Sequence, residues 1–459
     1  MKIIPKTQKD FEWVNYKEKQ IKDVIKRQVI KLREDLNLVK TIPKKERSFD
    51  NTILAIEEAG LPEIETNTIA LLSYISPSES VRKISAKMIL DLSKQQLEIM
   101  HDEDLYRAFS EYKPVGLDED QSRLYKDMKR SFENMGFQLP KEGQKDLNKI
   151  KNDLNKLEQD SSLEINNSRA TILCTLKELD GMDNSFIEKL PKDKKTGKYI
   201  VSTDYPDFKP FAKNATNHKK RKELIDKDSK RVSVKNIKRL QKILELRDKK
   251  ANILGYKSHA EYVLEDRIVK NPKTVLDFLN KNLEQLKSKY LEVMGMAESI
   301  KKDKVSYFDN IYFLNEYLKN NFSVNENEIK KYFELGNITE SVFKLFGNLF
   351  NVSFEVNKTI KLWHPDVFIF DIIDSGNKIA HLAFDLYPRK GKYGHACHWT
   401  MSHGSYSKEL NGYNAPVSVI ISNYSKPAKN KPTLLTFWDV EAFYHEFGHA
   451  LHSLLTKAR

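Results

Sequence analysis

The sequence predicts a mainly α-helical fold: large helical lobes with a small β-sheet preceding one helix near the end of the chain. Three observations predict it. Apolar residues recur at spacings of three and four through most of the 459 residues, the signature of helices that bury one face. Few glycines interrupt those runs, so the helices can be long. Short segments rich in Val, Ile, Phe and Tyr, bounded by turn residues, become frequent only after Phe350.

Residues 1–140 are charged and periodic, punctuated near Pro62, Pro77 and Pro114, and read as an N-terminal helical lobe. Residues 141–350 read as a second helical body. Within it Leu147, Ile150, Leu154 and Leu157 form the seam of an antiparallel helix pair, for which core packing is the simplest use. A short strand or hairpin is expected at 196–203, where Gly197 precedes Tyr199-Ile200-Val201, and helices then resume toward Phe350, including a Leu-rich segment from Lys273 to Met296. Residues 351–459 form a third region, in which short β-rich runs precede the last helix. Here Val367 to Phe370 and Lys378 to Tyr387 are strands joined through the hairpin turn Asp374-Ser375-Gly376-Asn377, and Val417 to Ser422 is a further strand.

Composition excludes several classes. No apolar run approaches the length that crosses a bilayer, and Met1 to Lys6 is not followed by the apolar stretch of a secretory signal. Cys174 and Cys397 are too few for a disulfide framework, which fits a reducing compartment, and the expectation is a cytoplasmic protein with no membrane partner. Lys and Arg number 78 against 65 Asp and Glu, a net charge of +13, yet basic and acidic residues interleave. The densest cluster, Lys219 to Lys222, is short and lacks aromatic neighbours, so a solvated helix face explains it better than a nucleic-acid surface.

The chemistry-bearing motif is His445-Glu446-Phe447-Gly448-His449. At about 3.6 residues per turn the two histidines share a helix face, so both imidazoles can hold one zinc ion while Glu446 stands beside it as a general base. Val440, Phe443, Tyr444, Phe447, Leu451, Leu454 and Leu455 spread apolar surface around this helix and predict that it is buried. Gly448 weakens a helix by about 1 kcal/mol relative to Ala and predicts a close approach by another group. His452 reads as a surface or outer-layer histidine. Glu441, one turn before His445, either orients that imidazole or simply complements the helix dipole.

The segment His445 to His452 reads HEFGHALH, and Phe384 to Ala396 reads FDLYPRKGKYGHA; between them lie Pro416 to Pro427 and Pro432 to Phe437. Together these ordered blocks resemble the thimet oligopeptidase family of zinc metallopeptidases. The resemblance implies a peptidase that hydrolyses short, unstructured peptides, with one zinc ion at the bottom of a channel between helical domains. It assigns His445 and His449 as metal ligands and Glu446 as the base acting on zinc-bound water. It also makes Gly394 and His395 candidates for substrate contact. Val417 to Tyr424 is either an edge strand that holds an extended peptide by main-chain hydrogen bonds, with Tyr424 at the substrate, or an interior structural strand. No family position matches His398 or His403. The family's third zinc ligand, a glutamate on a later helix, falls beyond Arg459, so the expectation is a fragment that binds zinc weakly and turns over little. The alternative is an inactive peptide-binding or scaffold protein derived from such an enzyme.

Overall fold

The computed structural model describes residues 3–4, 8–168, 170–230, 233–323, 326–407, 412–427 and 432–457. They fall into two compact units, one formed by Met1–Ser131 together with Glu326–Arg459, the other by Phe132–Asn325.

The second unit is helical apart from one two-stranded ladder. Its helices Lys141–Asn167 and Ser233–Ile253 bury Ile150 and Leu154 against Ile243 and Leu246. Ion pairs Arg247–Glu158 and Lys235–Glu164 show the two chains running antiparallel, as the leucine spacing predicts. The expected strand forms at Tyr199–Ser202; its ladder partner is Thr171–Cys174, while a local turn closes through the Lys192–Tyr199 bridge. Arg221 is buried in this unit and is satisfied by Asp309, by the carbonyls of Ala215 and Thr216, and by the Tyr312 ring.

The first unit carries the motif. In chain order its principal elements are helices α1 (Glu18–Thr41), α2 (Glu63–Ile75), α3 (Glu79–Met100) and α4 (Leu335–Phe350). Strands β1 (Ser353–Val356), β2 (Phe368–Asp374), β3 (Asn377–Asp385), β4 (Cys397–Ser402) and β5 (Val417–Ile421) follow, and then helix α5 (Phe437–Leu455). The strands make one sheet in the order β1-β2-β3-β5-β4. Ser375 and Gly376 both adopt positive φ between β2 and β3, the conformation of the tightest hairpin turn, as Asp374 to Asn377 predicts.

β5 lies inside the sheet, parallel to β3 on one side and antiparallel to β4 on the other. It is therefore not the edge strand. All five of its residues are buried, and a continuous apolar run of this kind suits a strand covered on both faces. The edge beside it is β4.

The sheet separates two cores. On one face Ile369, Ala383, Met401, Val417, Val419 and Ile421 pack against Ile21, Val24, Ile69 and Leu72 of α1 and α2. On the other, Phe370, Leu382, Phe384 and Ile420 meet α4 and α5 through Val342, Phe443, Phe447 and Leu451. Main-chain bonds Leu335 N–H to Thr433 O and Leu435 N–H to Phe333 O tie the start of α4 to the segment entering α5.

A buried charge cluster joins these layers. Asp385, at the end of β3, receives two hydrogen bonds from the Arg389 guanidinium, both at 2.7 Å, and one from the Trp363 indole at 2.8 Å. The Lys392 ammonium lies 2.8 Å from the same carboxylate and donates to the carbonyls of Asp385, Tyr387 and Ser422. Arg389 also reaches the Ile75 carbonyl at the end of α2. Burial pushes the Asp385 carboxyl upward, but the Arg389 hydrogen bonds and the Lys392 charge outweigh it and hold it below its ordinary value.

Lys392→Met removes the donor shared by the carbonyls of Asp385, Tyr387 and Ser422 while Arg389 still neutralises Asp385, so it is expected to cost about 1–3 kcal/mol in urea unfolding. An unchanged unfolding midpoint would contradict the role given to Lys392. A carboxyl whose folded value is depressed adds stability above its unfolded value, near pH 4, and loses it as the pH falls through the folded value. Acid unfolding should therefore steepen below about pH 4, and Asp385→Asn should remove part of that dependence.

Candidate active site

Thr436 starts α5 with a reciprocal cap. Its hydroxyl accepts the Asp439 N–H at 3.2 Å, and the Asp439 carboxylate accepts the Thr436 N–H at 2.9 Å. The helix then rolls so that Phe443, Phe447, Ala450, Leu451 and Leu454 face the sheet. Aromatic contacts fix that roll: Phe447 lies 5.4 Å from Phe346 and Phe443 lies 5.5 Å from Phe384, ring centre to ring centre.

Glu441, His445, Gly448, His449 and His452 consequently lie on the exposed face, with Glu446 partly covered between the faces. The expectation of a helix buried all round is corrected. The apolar residues concentrate on one face more than their count suggests, and the imidazoles stand open. Gly448 also departs from expectation, because a Cβ placed there meets no described atom within 4 Å.

His445 and His449 converge as the spacing requires, their Nε2 atoms 3.1 Å apart. Two nitrogens on one tetrahedral zinc, each at about 2.0–2.1 Å, stand roughly 3.3 Å apart, so the pair fits a shared ion. The same separation suits an imidazole-to-imidazole hydrogen bond. Among the described residues no group of three or more His, Cys, Asp or Glu side chains is placed to hold a metal ion.

Glu446 turns toward the sheet edge, where its carboxylate accepts the backbone N–H of His398 on β4 at 2.6 Å. Thr400, two residues on, meets Ser453 of α5 hydroxyl to hydroxyl at 3.2 Å. The motif helix thus lies against the edge strand. Burial, reinforced by the positive fields of His449 and His403, pushes the His398 imidazole down to about 4 and keeps it neutral. Burial and the nearby Glu446 push the Cys397 thiol up to about 11, which removes it as a nucleophile at neutral pH.

Other expected site residues lie elsewhere. Tyr424 is buried, donates to the Asp439 carbonyl at 3.3 Å, and supports the first turn of α5; it is corrected from substrate contact to structural support. Gly394 and His395 are exposed in the loop after the Asp385 cluster, with the His395 ring 5.5 Å from Tyr393. Tyr393 in turn is 5.8 Å from Tyr74. Glu441 makes no hydrogen bond to His445 among the described residues. His403 pairs with Glu63 of α2 at 3.0 Å. His398, for which sequence reasoning found no family position, lies on β4 with its ring 6.3 Å from that of His449. The signal in the sequence is the crowding of His364, His381, His395, His398 and His403 ahead of the motif helix.

Residues 211–459 match the model of peptidase family M3. The chain is 30% identical over 444 residues to the thimet-like oligopeptidase of Dictyostelium discoideum, covering 91% of this chain and 66% of that protein. It is 28% identical over 419 residues to saccharolysin of Saccharomyces cerevisiae, covering 85% of this chain and 59% of the relative. Over 414 residues it is 25% identical to oligopeptidase A of Escherichia coli, with 85% and 61% covered. The chain thus spans about three fifths to two thirds of the length of these relatives.

Gly448 tests the geometry of the open helix face. Gly448→Ala is expected to stabilise the protein by about 1 kcal/mol, because the methyl group meets no neighbour and the helix gains propensity. Loss of stability in urea unfolding would show that a group of the chain does approach there.

Proposed function

The chain belongs to peptidase family M3, and from that membership and the paired imidazoles we propose that it acts as a zinc-dependent oligopeptidase on short, unstructured peptides. The observation that carries the proposal is the convergence of His445 and His449 on the exposed face of a helix whose Glu446 leans toward a sheet edge.

His445 and His449 would hold the ion through Nε2. When bound, zinc supplies Lewis-acid polarisation of the scissile carbonyl and makes water a stronger acid. Glu446 accepts the proton of the attacking water and delivers it to the departing amine, the two halves of general base and general acid work. Its hydrogen bond from the His398 N–H holds one carboxylate oxygen toward β4 and leaves the other for the proton. An extended peptide added to β4 by main-chain hydrogen bonds would run beside that carboxylate. On this reading substrate alignment would fall to Cys397–Ser402 in place of Val417 to Tyr424. His395 and Gly394, exposed beyond the cluster, are proposed as more distant contacts to the peptide. A cytoplasmic setting accords with the paucity of cysteine, and no described helix is long and apolar enough to cross a membrane.

The experiment is cleavage of an internally quenched short peptide by the zinc-supplemented chain. Activity should vanish with a chelator and return with zinc, and Glu446→Gln should lower kcat/KM by about 100- to 10,000-fold. Peptide binding without cleavage, insensitive to the chelator, would replace the proposal with the peptide-binding alternative.

A further inference from the structure

We propose that Tyr74 and Tyr393, with Trp399 behind them, form an aromatic wall that selects peptides carrying an aromatic side chain opposite Trp399. The inference rests on the peptide-aligning role given above to β4 and names the substrate class that this edge would favour.

The strand supplies the first argument. His398 donates its N–H to Glu446, so this main-chain group points away from β5. Outward and inward main-chain groups alternate along an antiparallel strand, which turns Thr400 outward as well and Trp399 inward toward Val419 of β5. A peptide added at this edge bonds to the outward groups. One of its residues then stands opposite Trp399 in the closer, non-hydrogen-bonded kind of pair, with Cα atoms about 4.5 Å apart. Side chains of an opposed pair share one face of the sheet. The Trp399 ring packs on the α1 and α2 side, so the peptide side chain opposite it lies there too.

What that side chain meets is the second argument. The Tyr74 ring, at the end of α2, is 5.8 Å from Trp399 and 5.8 Å from Tyr393, ring centre to ring centre. Core packing accounts for Trp399, which is partly buried. It does not account for the two tyrosines, which remain 47% and 39% exposed although they adjoin. Single exposed apolar residues are ordinary, whereas contiguous rings beside a main-chain edge mark a contact surface. The backbone fixes them in advance: the Tyr393 N–H donates to the Tyr74 carbonyl at 2.8 Å, and the Tyr393 carbonyl accepts from the Asn423 amide at 2.9 Å. Rings held this way lose little freedom on binding. Edge-to-face and offset contacts then favour an aromatic side chain beyond the area it buries.

The test is isothermal titration of the 459-residue chain with two short, unstructured peptides that differ only in one central residue, Phe or Ala. The Phe peptide should bind at least about 10-fold more tightly. In Tyr74→Ala and in Tyr393→Ala the ratio between the two peptides should fall toward one. Equal affinities on the unmodified chain, or no binding of either peptide, would overturn the wall, and this comparison decides the matter even where a variant folds poorly. A Phe preference that persists undiminished in both variants would also overturn it. Cleavage of the same peptides is scored separately. Chelator-sensitive cleavage without a Phe preference sinks the wall and leaves the peptidase reading standing, whereas a Tyr74-dependent preference without cleavage upholds the wall in a peptide-binding protein.

Discussion

Almost everything at the site depends on one buried carboxylate. Asp385 closes β3, and the cations Arg389 and Lys392 that neutralise it sit in the loop that must leave the sheet and return as edge strand β4. Both cations also clasp carbonyls from other layers, Ile75 of α2 and Ser422 just past β5. A loop held this way has little freedom in how it delivers Cys397–Ser402 to the edge. The delivery matters because β4 carries the N–H that positions Glu446. The residues of the FDLYPRKGKYGHA block thus act mainly on the framework, and they reach the chemistry through the strand they aim.

The second constraint is the roll of α5. Nothing in an HExxH spacing says which way the pair of histidines points; the phenylalanines decide that. Phe443 and Phe447 are one turn apart and lock into the aromatic layer formed by Phe343, Phe346, Phe370 and Phe384. At about 100° per residue, fixing 443 and 447 inward sends 445 and 449 outward and leaves 446 at the boundary beside β4. The neutral aromatic face and the charged face are therefore two readings of one rotation, and rotating the helix to bury the imidazoles would expose Phe447.

Local periodicity made much of this legible. The helix pair around Ile150 and Leu154, the turn at Ser375 and Gly376, and the convergence of His445 with His449 all depend on residues within a few positions or on one repeating spacing. Strand order depends on pairing between segments far apart, which no spacing records. Val417 to Ile421 still carried a usable sign: unbroken apolarity argues for cover on both faces, and an edge strand normally shows a polar side. The burial of α5 was overestimated because apolar residues were counted around the helix without weighing which of them share a face. The neighbourhood of His398 was hidden for a different reason. Its proximity to His449 comes from β4 lying against α5, a tertiary register that becomes visible only once the sheet is assembled.

These constraints locate the chemistry in a small part of the molecule. Imidazoles, carboxylate and an extended backbone edge come together through two neighbouring elements, β4 and α5, that share one sheet and one aromatic core. Main-chain pairing to an edge strand aligns a peptide without reading its side chains, so in the proposed oligopeptidase these two elements would orient the scissile bond without choosing among sequences. Under that proposal, selectivity would come from surfaces that meet side chains farther along the peptide. The exposed loop carrying Tyr393, Gly394 and His395 follows directly from the Asp385 cluster. The buried charge that aims the edge strand therefore also sets where that loop stands, so in the proposed enzyme alignment and selection would be coupled through Lys392.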